Sequence, residues 1–294
     1  MHTATYYIDL LLSGITVGSL YALIAIGYTM VYGILRLINF AHGDIFMMSG
    51  FFMIYVSATL PMAVSIPVVL LMTVLLGVLI ERAAYKPLRS APRMSVMISA
   101  IGVSYLLQNL ATYITGGLAR PYPEISFLKK SFAVGSLNIK IITLLTPVLT
   151  ILLVISLVIF IKHTKTGMAM RAVSKDFDTA RLMGIKVNSV ITVTFIIGSF
   201  LAGVGSILYF TNYGQVSPTI GAMPGLKAFV AAVFGGIGSV PGAVVGAFVI
   251  GICENIMKGA GLTTFSDAFT FVLLIVILMV KPTGIFGEKN INKV

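Results

Sequence analysis

Long uncharged apolar segments alternate with short polar connections along this chain. A segment of about 20 apolar residues is long enough to cross a bilayer as a helix. The apolar run that ends at Ile80 is interrupted by Pro61 and Pro67, so it is predicted to form two spans joined near 59–62. The remaining plain spans are predicted at 10–35, 95–115, 141–162, 187–211 and 265–280. We therefore predict an all-α polytopic membrane protein with about eight transmembrane helices in one domain, residues 1–294.

Two regions do not fit plain spans. In the first, a polar turn at 39–44 follows the first span directly. In the second, residues 225–257, the cluster GGIGSVPGA occupies 235–243 and predicts a half-helix, a break and a second helix. Broken helices occur at membrane depth only where protein or a water-filled cavity surrounds the irregular backbone.

A short internal similarity relates the two halves of the chain. VGSLY at 17–21 and VGSILY at 204–209 each lie in a span that is followed by a glycine-containing turn. With the N-terminus outside, the halves would run in opposite directions, as in the inverted repeats of many transporters. A chance match of this length is the alternative.

Composition agrees with a membrane protein. Hydrophobic residues make up 58% of the chain and charged residues 10%, against about 25% charged in average soluble proteins. The single cysteine, Cys253, excludes an intrachain disulfide, and the GxxxxGK[ST], HExxH and CxxC motifs do not occur. We predict no catalytic residue, no metal site and no cofactor in this chain. The net charge of +11 reflects basic loops rather than nucleic-acid binding.

The basic residues predict the topology. They concentrate at 82–93, at 162–186 and in the C-terminal tail, where Lys281, Lys289 and Lys293 lie. The positive-inside rule makes these connections cytoplasmic and the N-terminus external. The loop 116–140 is then outside although it carries four basic residues against Glu124, which indicates either contact with an acidic partner or ordinary solvated charge.

The cytoplasmic loop at about 163–188 is predicted to contain a short helix, from Ser174 to Met183. Ser174 is the predicted N-cap and Gly184 the C′ residue, and the two flanking spans carry no charge. The loop is interpreted as a docking surface or as a solvated connection. The residues assigned to docking are Arg171, Ser174, Asp176, Phe177, Asp178, Ala180, Arg181, Leu182, Met183 and Gly184, with Phe177, Ala180 and Met183 on the face that meets the partner.

Ionisable residues near the broken elements have two interpretations each. His42 and Asp44 are pathway groups, or Asn39 and Asp44 cap helix ends while His42 satisfies a carbonyl. Lys227 is a pathway charge or, as we expect, extends to the outer interface. Glu81 and Glu254 lie near span ends, where we expect them to be hydrated.

Three segments resemble the LivH-type permease of branched-chain amino-acid ABC transporters. They are GITVGSLYALIAIGYTMVYGILRLINFAHGDIFMMSGF from Gly14, GMAMRAVSKDFDTARLMGI from Gly167 and GLKAFVAAVFGGIGSVPGA from Gly225. The resemblance follows the chain in order over nearly its whole length.

The resemblance implies a subunit of the bacterial inner membrane. Its implied partners are a second, LivM-like permease, two cytoplasmic ATPase subunits that use the ATP, and a periplasmic substrate-binding protein. The docking helix becomes a coupling helix on the ATPase. The implied translocation pathway comprises Asn39, Phe40, His42, Gly43, Asp44, Gly235, Gly236, Gly238 and Ser239. Related permeases serve urea or short amides, and a passive channel or an ion-coupled carrier would also contain broken helices.

Overall fold

The computed structural model describes residues 2–89, 91–134 and 137–287, and most of them are helical. In this part of the chain seven helices are long and apolar enough to cross a membrane. The prediction of an all-α polytopic membrane protein is confirmed. The helices are α1 His2–Leu35, α2 His42–Ser57, α3 Met62–Ile80, α4 Arg93–Thr115, α5 Ser126–Lys129, α6 Ile141–His163, α7 Lys165–Lys175, α8 Phe177–Leu182, α9 Val187–Tyr213, α10 Ala222–Gly235, α11 Val240–Gly259 and α12 Ser266–Val280.

Four short strands lie in the connections. They are β1 Arg120–Pro121, β2 Ser131–Val134, β3 Leu137–Lys140 and β4 Gln215–Val216. Strand β2 pairs with β3 as an antiparallel hairpin before α6, and β1 pairs with the distant β4. A π-helical turn, Glu81–Tyr85, extends α3, and a 3-10 turn, Thr263–Phe265, precedes α12.

The two halves of the chain have a corresponding order of helices. Each half contains a long buried helix, a break, a short helix and a further helix: α1–α2–α3 and α9–α10–α11. Helix α1 packs on α9, α10 and α11, and helix α9 packs correspondingly on α1, α2 and α3. Gly27 lies against Gly198 and Leu23 against Gly205, so α1 and α9 are antiparallel. This antiparallel pairing is what the predicted inverted repeat requires, and the repeat itself stays a prediction.

Glycines set the close approach of α1, α10 and α11. A Cβ at Gly18 would lie 2.8 Å from Cα of Phe248, and one at Gly246 would lie 2.2 Å from the carbonyl oxygen of Ala231. Such distances leave no room for a side chain. Small residues let helix backbones approach closely in lipid, where no hydrophobic effect drives helices together.

Connections that the charge pattern assigns to one side contact each other. The Tyr122 N–H donates to the carbonyl of Gly214 at 2.9 Å beside the β1–β4 pair. This joins the loop 116–140, predicted outside, to the connection that follows α9. On the other side, the Arg89 guanidinium donates to the Asn188 side chain. These contacts agree with the predicted assignment of the connections to the two sides of the membrane. Lys289 and Lys293 lie outside the described residues.

Three expectations about ionisable residues are wrong, those for Lys227, Glu254 and Glu81, and Glu81 is 1% exposed instead of hydrated. Lys227 does not extend to an interface: it is 6% exposed, and its Nζ lies 2.8 Å from Glu254 and 2.6 Å from Asp267. Glu254 is 1% exposed and also accepts hydrogen bonds from Lys258 and from the Tyr21 hydroxyl. Since a buried charge is costly unless it is paired, this cluster ties α10 to α11 and α12.

We expect Glu254→Gln to destabilise the protein far more than Asp267→Asn. Glu254 is almost fully enclosed, whereas the Asp267 side chain is 47% exposed. Breaking a buried ion pair costs about 3–5 kcal/mol, and an exposed pair contributes about 0–1 kcal/mol. The measurement is the thermal midpoint in one detergent. Equal midpoints for the two variants would contradict the burial argument.

Candidate functional site

The short helices α2 and α10 meet near their N-termini, inside the helical body. A Cβ at Gly43 would lie 2.5 Å from the carbonyl oxygen of Gly221 and 3.2 Å from Cα of Gly225. The adjacent His42 ring lies against Gly27 in the middle of α1. Two half-helices therefore direct their N-terminal ends, which carry partial positive charge, toward the same buried junction.

Asp44 lies in the first turn of α2 and is 2% exposed. Its carboxylate accepts a hydrogen bond from Ser104 Oγ at 2.5 Å and another from Gln108 Nε2 at 3.0 Å. Both donors belong to α4. The expectation that Asp44 caps a helix end is wrong, because the N-cap of α2 is Ala41 and no side chain caps this end. Asp44 instead ties the start of α2 to α4.

Asn39 does not cap a helix either. It is 1% exposed, and its Oδ1 accepts a hydrogen bond from the Tyr85 hydroxyl at 2.8 Å. Phe40 is half-buried in the same turn. The buried ring of His42 packs edge-on against Tyr28, with 5.0 Å between ring centroids. Contacts with α1 and with the π-helical turn Glu81–Tyr85 therefore hold the turn at 39–44 in place.

The second predicted pathway segment forms the break between α10 and α11. Gly235 and Gly236 are buried, and the Phe286 N–H of the C-terminal tail donates to the Gly235 carbonyl at 2.9 Å. Gly236 has φ +108° and Gly238 has φ +98°, values that favour glycine. Ser239 is the N-cap of α11, with its Oγ accepting from the Gly242 N–H at 3.2 Å. The chain's own C-terminal tail therefore covers Gly235 and Gly236, while Gly238 is exposed.

The two predicted segments lie at different depths. Gly43 contacts the start of α10 and Gly235 ends it, so they are separated by about 15 Å along that helix. A crevice too narrow for a water molecule lies between α1 and α10. Its lining is mostly apolar and aromatic: Tyr28, Tyr32, Ile38, Phe229, Ala232 and Ile237.

The loop at 163–188, which the charge pattern predicts to be cytoplasmic, contains two helices, α7 and α8, where the sequence predicted one. Ser174 lies inside α7, and its Oγ donates to the Arg171 carbonyl, so the prediction that it is an N-cap is wrong. Asp176 is the N-cap of α8 and accepts from the N–H groups of Asp178 and Thr179 at 2.8 and 3.1 Å. The hydrogen bonds from Thr179 and Asp178 lower the pKa of Asp176, which is therefore ionised at neutral pH.

The C-terminus of α8 follows the prediction. Gly184 has φ +80°, and the Ile185 N–H donates to the Ala180 carbonyl at 3.1 Å, which is the bonding pattern of a Schellman motif. Helix α8 therefore has defined ends.

The exposed face of α8 differs from the predicted one. Ala180 is 3% exposed and Phe177 is half-buried against the core of the same chain. Leu182 and Met183, by contrast, are 88% and 78% exposed. Of the three residues on the predicted face, Ala180 is buried, Phe177 is half-buried and Met183 is exposed, so Ala180 is not accessible to a partner. The surface that a partner can reach is Leu182 and Met183, with exposed Arg171, Asp178 and Arg181 beside them.

Residues 10–278 match the protein family described as branched-chain amino acid transport system / permease component. The chain belongs to this family. It is 40% identical to the high-affinity branched-chain amino acid transport system permease protein LivH of Escherichia coli (strain K12), over 98% of both chains. It is 39% identical to LivH of Salmonella typhimurium and 40% identical to BraD of Pseudomonas aeruginosa, again over 98% of both chains. The suspected LivH-type resemblance is confirmed.

Sequence reasoning missed the polar residues of α4 in this permease. Ser104 and Gln108 are four residues apart in an apolar helix, so they share a face. That spacing was the available signal for a buried polar partner. Among the described residues no group of three His, Cys, Asp or Glu side chains is placed to hold a metal ion.

Proposed function

We propose that this permease moves branched-chain amino acids inward across the bacterial inner membrane, driven by ATP hydrolysis in separate subunits. The observation that carries the proposal is the end-to-end identity with LivH and BraD. The proposed assembly contains a second, LivM-like permease, two cytoplasmic ATPases and a periplasmic substrate-binding protein. This chain contributes no ATP site.

The buried junction supports a role in recognising a zwitterion. The N-terminal ends of α2 and α10 suit a carboxylate, as half-helix ends do in other transporters. The Asp44 carboxylate suits an ammonium group. The apolar crevice that begins beside Tyr28 suits a branched aliphatic side chain. Glycine contacts close the junction, so in the proposed role α10 moves away from α2 to admit the substrate.

The capped helix α8 supports a role in coupling. Two large apolar side chains, Leu182 and Met183, lie exposed at its C-terminal end, where a solvated loop would not need them. We propose that they occupy a groove of the ATPase. Force on them reaches the membrane helices through the packing of α8 on α7 and α9.

The proposed orientation places the N-terminus and residues 116–140 outside and the α7–α8 loop inside. In a Cys253→Ser background, an impermeant thiol reagent added to spheroplasts should label Ser126→Cys, since this residue is exposed in the external loop. Arg181→Cys should become labelled only after the membrane is permeabilised. Labelling of Arg181→Cys alone in intact spheroplasts would reverse the orientation.

Substrate-stimulated ATP hydrolysis tests the proposed function. The four-subunit complex is reconstituted in nanodiscs with its binding protein, and hydrolysis is measured with leucine, urea or acetamide. We expect stimulation by leucine alone. Stimulation by urea or acetamide and not by leucine would assign the complex to the corresponding related substrate class.

A further inference from the structure

A cleft of about 330 Å³ lies between the C-terminal end of α3 and the start of α9. This volume is at the lower end of the range of about 300–1,000 Å³ typical of ligand pockets. We call it the basic cleft, and its lining residues are Glu81, Arg82, Lys86, Arg89, Asn188, Ser189, Thr192 and Val193. The π-helical turn Glu81–Tyr85 forms one wall.

The charges of the basic cleft favour an anion. Its lining includes three cations and one carboxylate, which leaves a net charge of +2. Glu81 is 1% exposed and accepts from the Arg89 guanidinium and from Thr192 Oγ1, so it neutralises Arg89. Arg82 and Lys86 are exposed beside this pair. The buried Nε of Arg89 has no hydrogen-bond partner within the described residues, and it can donate to an oxygen of a ligand.

Apolar surface continues from the basic cleft into the membrane-spanning region. Leu75 and Leu79 precede Arg82 by seven and three residues on α3 and are 58% and 61% exposed. Ile196 follows Thr192 by one helical turn on α9 and is 36% exposed. The site is therefore charged at the end of the spans and apolar beside it.

We infer that the basic cleft binds the phosphate of an anionic phospholipid, with the acyl chains along Leu75, Leu79 and Ile196. Basic pockets between transmembrane helices on the cytoplasmic side are suited to phospholipid head groups. A soluble phosphate or an acidic peptide would meet the same cations, but neither would cover the adjoining leucines. The lipid accounts for both parts of the surface.

Native mass spectrometry of the assembled complex tests the inference, with phosphatidylglycerol as the probe. The variant Arg82→Gln/Lys86→Gln is compared with Lys162→Gln/Lys165→Gln, which removes the same charge from exposed positions outside the cleft. Each cation beside the bound head group contributes a factor of about five, and of the four substituted residues only Arg82 and Lys86 line the cleft, so the cleft variant should bind phosphatidylglycerol about thirtyfold more weakly. The control should bind like the parent.

Further arms identify the source of the phosphate. Glycerophosphoglycerol and inorganic phosphate should bind much more weakly than phosphatidylglycerol, and Leu79→Gln should weaken only the lipid. Equal binding of inorganic phosphate and lipid would overturn the inference. So would unchanged lipid binding in the cleft variant, equal loss in the control variant, or loss of ATPase co-purification without loss of lipid, which would assign the cleft to a protein partner.

Discussion

Replacing Asp44 with asparagine is expected to reduce leucine uptake about 10- to 100-fold while leaving the transporter assembled. The carboxylate is buried and held by Ser104 and Gln108. An asparagine of the same shape keeps a hydrogen-bonding oxygen for Ser104, so packing is preserved. It lacks the charge, and a hydrogen bond to a charged group contributes about 1.5–3 kcal/mol. The measurement is labelled leucine uptake by proteoliposomes that contain equal amounts of complex.

Glu124→Gln is the matched control for Asp44→Asn. Glu124 is an exposed carboxylate whose side chain pairs with Lys129 at 2.5 Å, and exposed pairs contribute little. Uptake by Glu124→Gln should equal that of the parent. If Asp44→Asn also transports like the parent, Asp44 only fixes α2 to α4 and does not contact the substrate.

Replacing Leu182 and Met183 together with aspartate is expected to abolish substrate-stimulated ATP hydrolysis. The two side chains are the large apolar groups exposed at the end of α8. Charged residues there would have to be buried without partners if the ATPase groove is apolar, which is unfavourable. The permease should still insert and pair with its second subunit. The measurements are ATP hydrolysis with and without leucine, and the amount of ATPase that co-purifies.

Two further variants separate docking from folding. Leu262→Asp changes a leucine of 44% exposure between α11 and α12, on the opposite side from α8, and should leave hydrolysis unchanged. Ala180→Asp places a charge in the core beneath α8 and should lower expression instead of specifically reducing ATPase binding. Normal hydrolysis by Leu182→Asp/Met183→Asp would show that α8 does not couple the two subunits.

Local sequence signals predicted the ends of helices well where one residue type has a strong conformational preference. Gly184 lies at C′ of α8 with positive φ, as expected. The start of α8 was placed two residues early, because Ser174 and Asp176 are both good N-caps and propensity does not choose between them. In the structure the N-cap of α8 is Asp176.

The sequence pattern did not predict which residues far apart in the chain form ion pairs. Lys227 was expected at an interface because a lone lysine in an apolar segment usually extends to water. Its partners, Glu254 and Asp267, are 27 and 40 residues away. The burial of Ala180 was missed for the same reason, since helical spacing groups Phe177 with Ala180 but does not show which side of α8 the chain itself covers.

The sequence pattern located the two breaks that were assigned to the translocation pathway. A glycine cluster and a polar turn in the sequence identified the two breaks in the helices, because glycine and turn-forming polar residues favour irregular backbone. Their separation along α10 and the covering of Gly235 by the tail follow from tertiary packing. Neither has a signature within a short stretch of sequence.

The most direct test of the proposed function is concentrative uptake of labelled leucine by proteoliposomes. They contain both permeases and both ATPases, with ATP inside and binding protein outside. We predict that leucine accumulates above its external concentration only when ATP and the ATPases are both present, and that urea and acetamide do not accumulate. Accumulation of leucine without the ATPases, or of urea in place of leucine, would contradict the account.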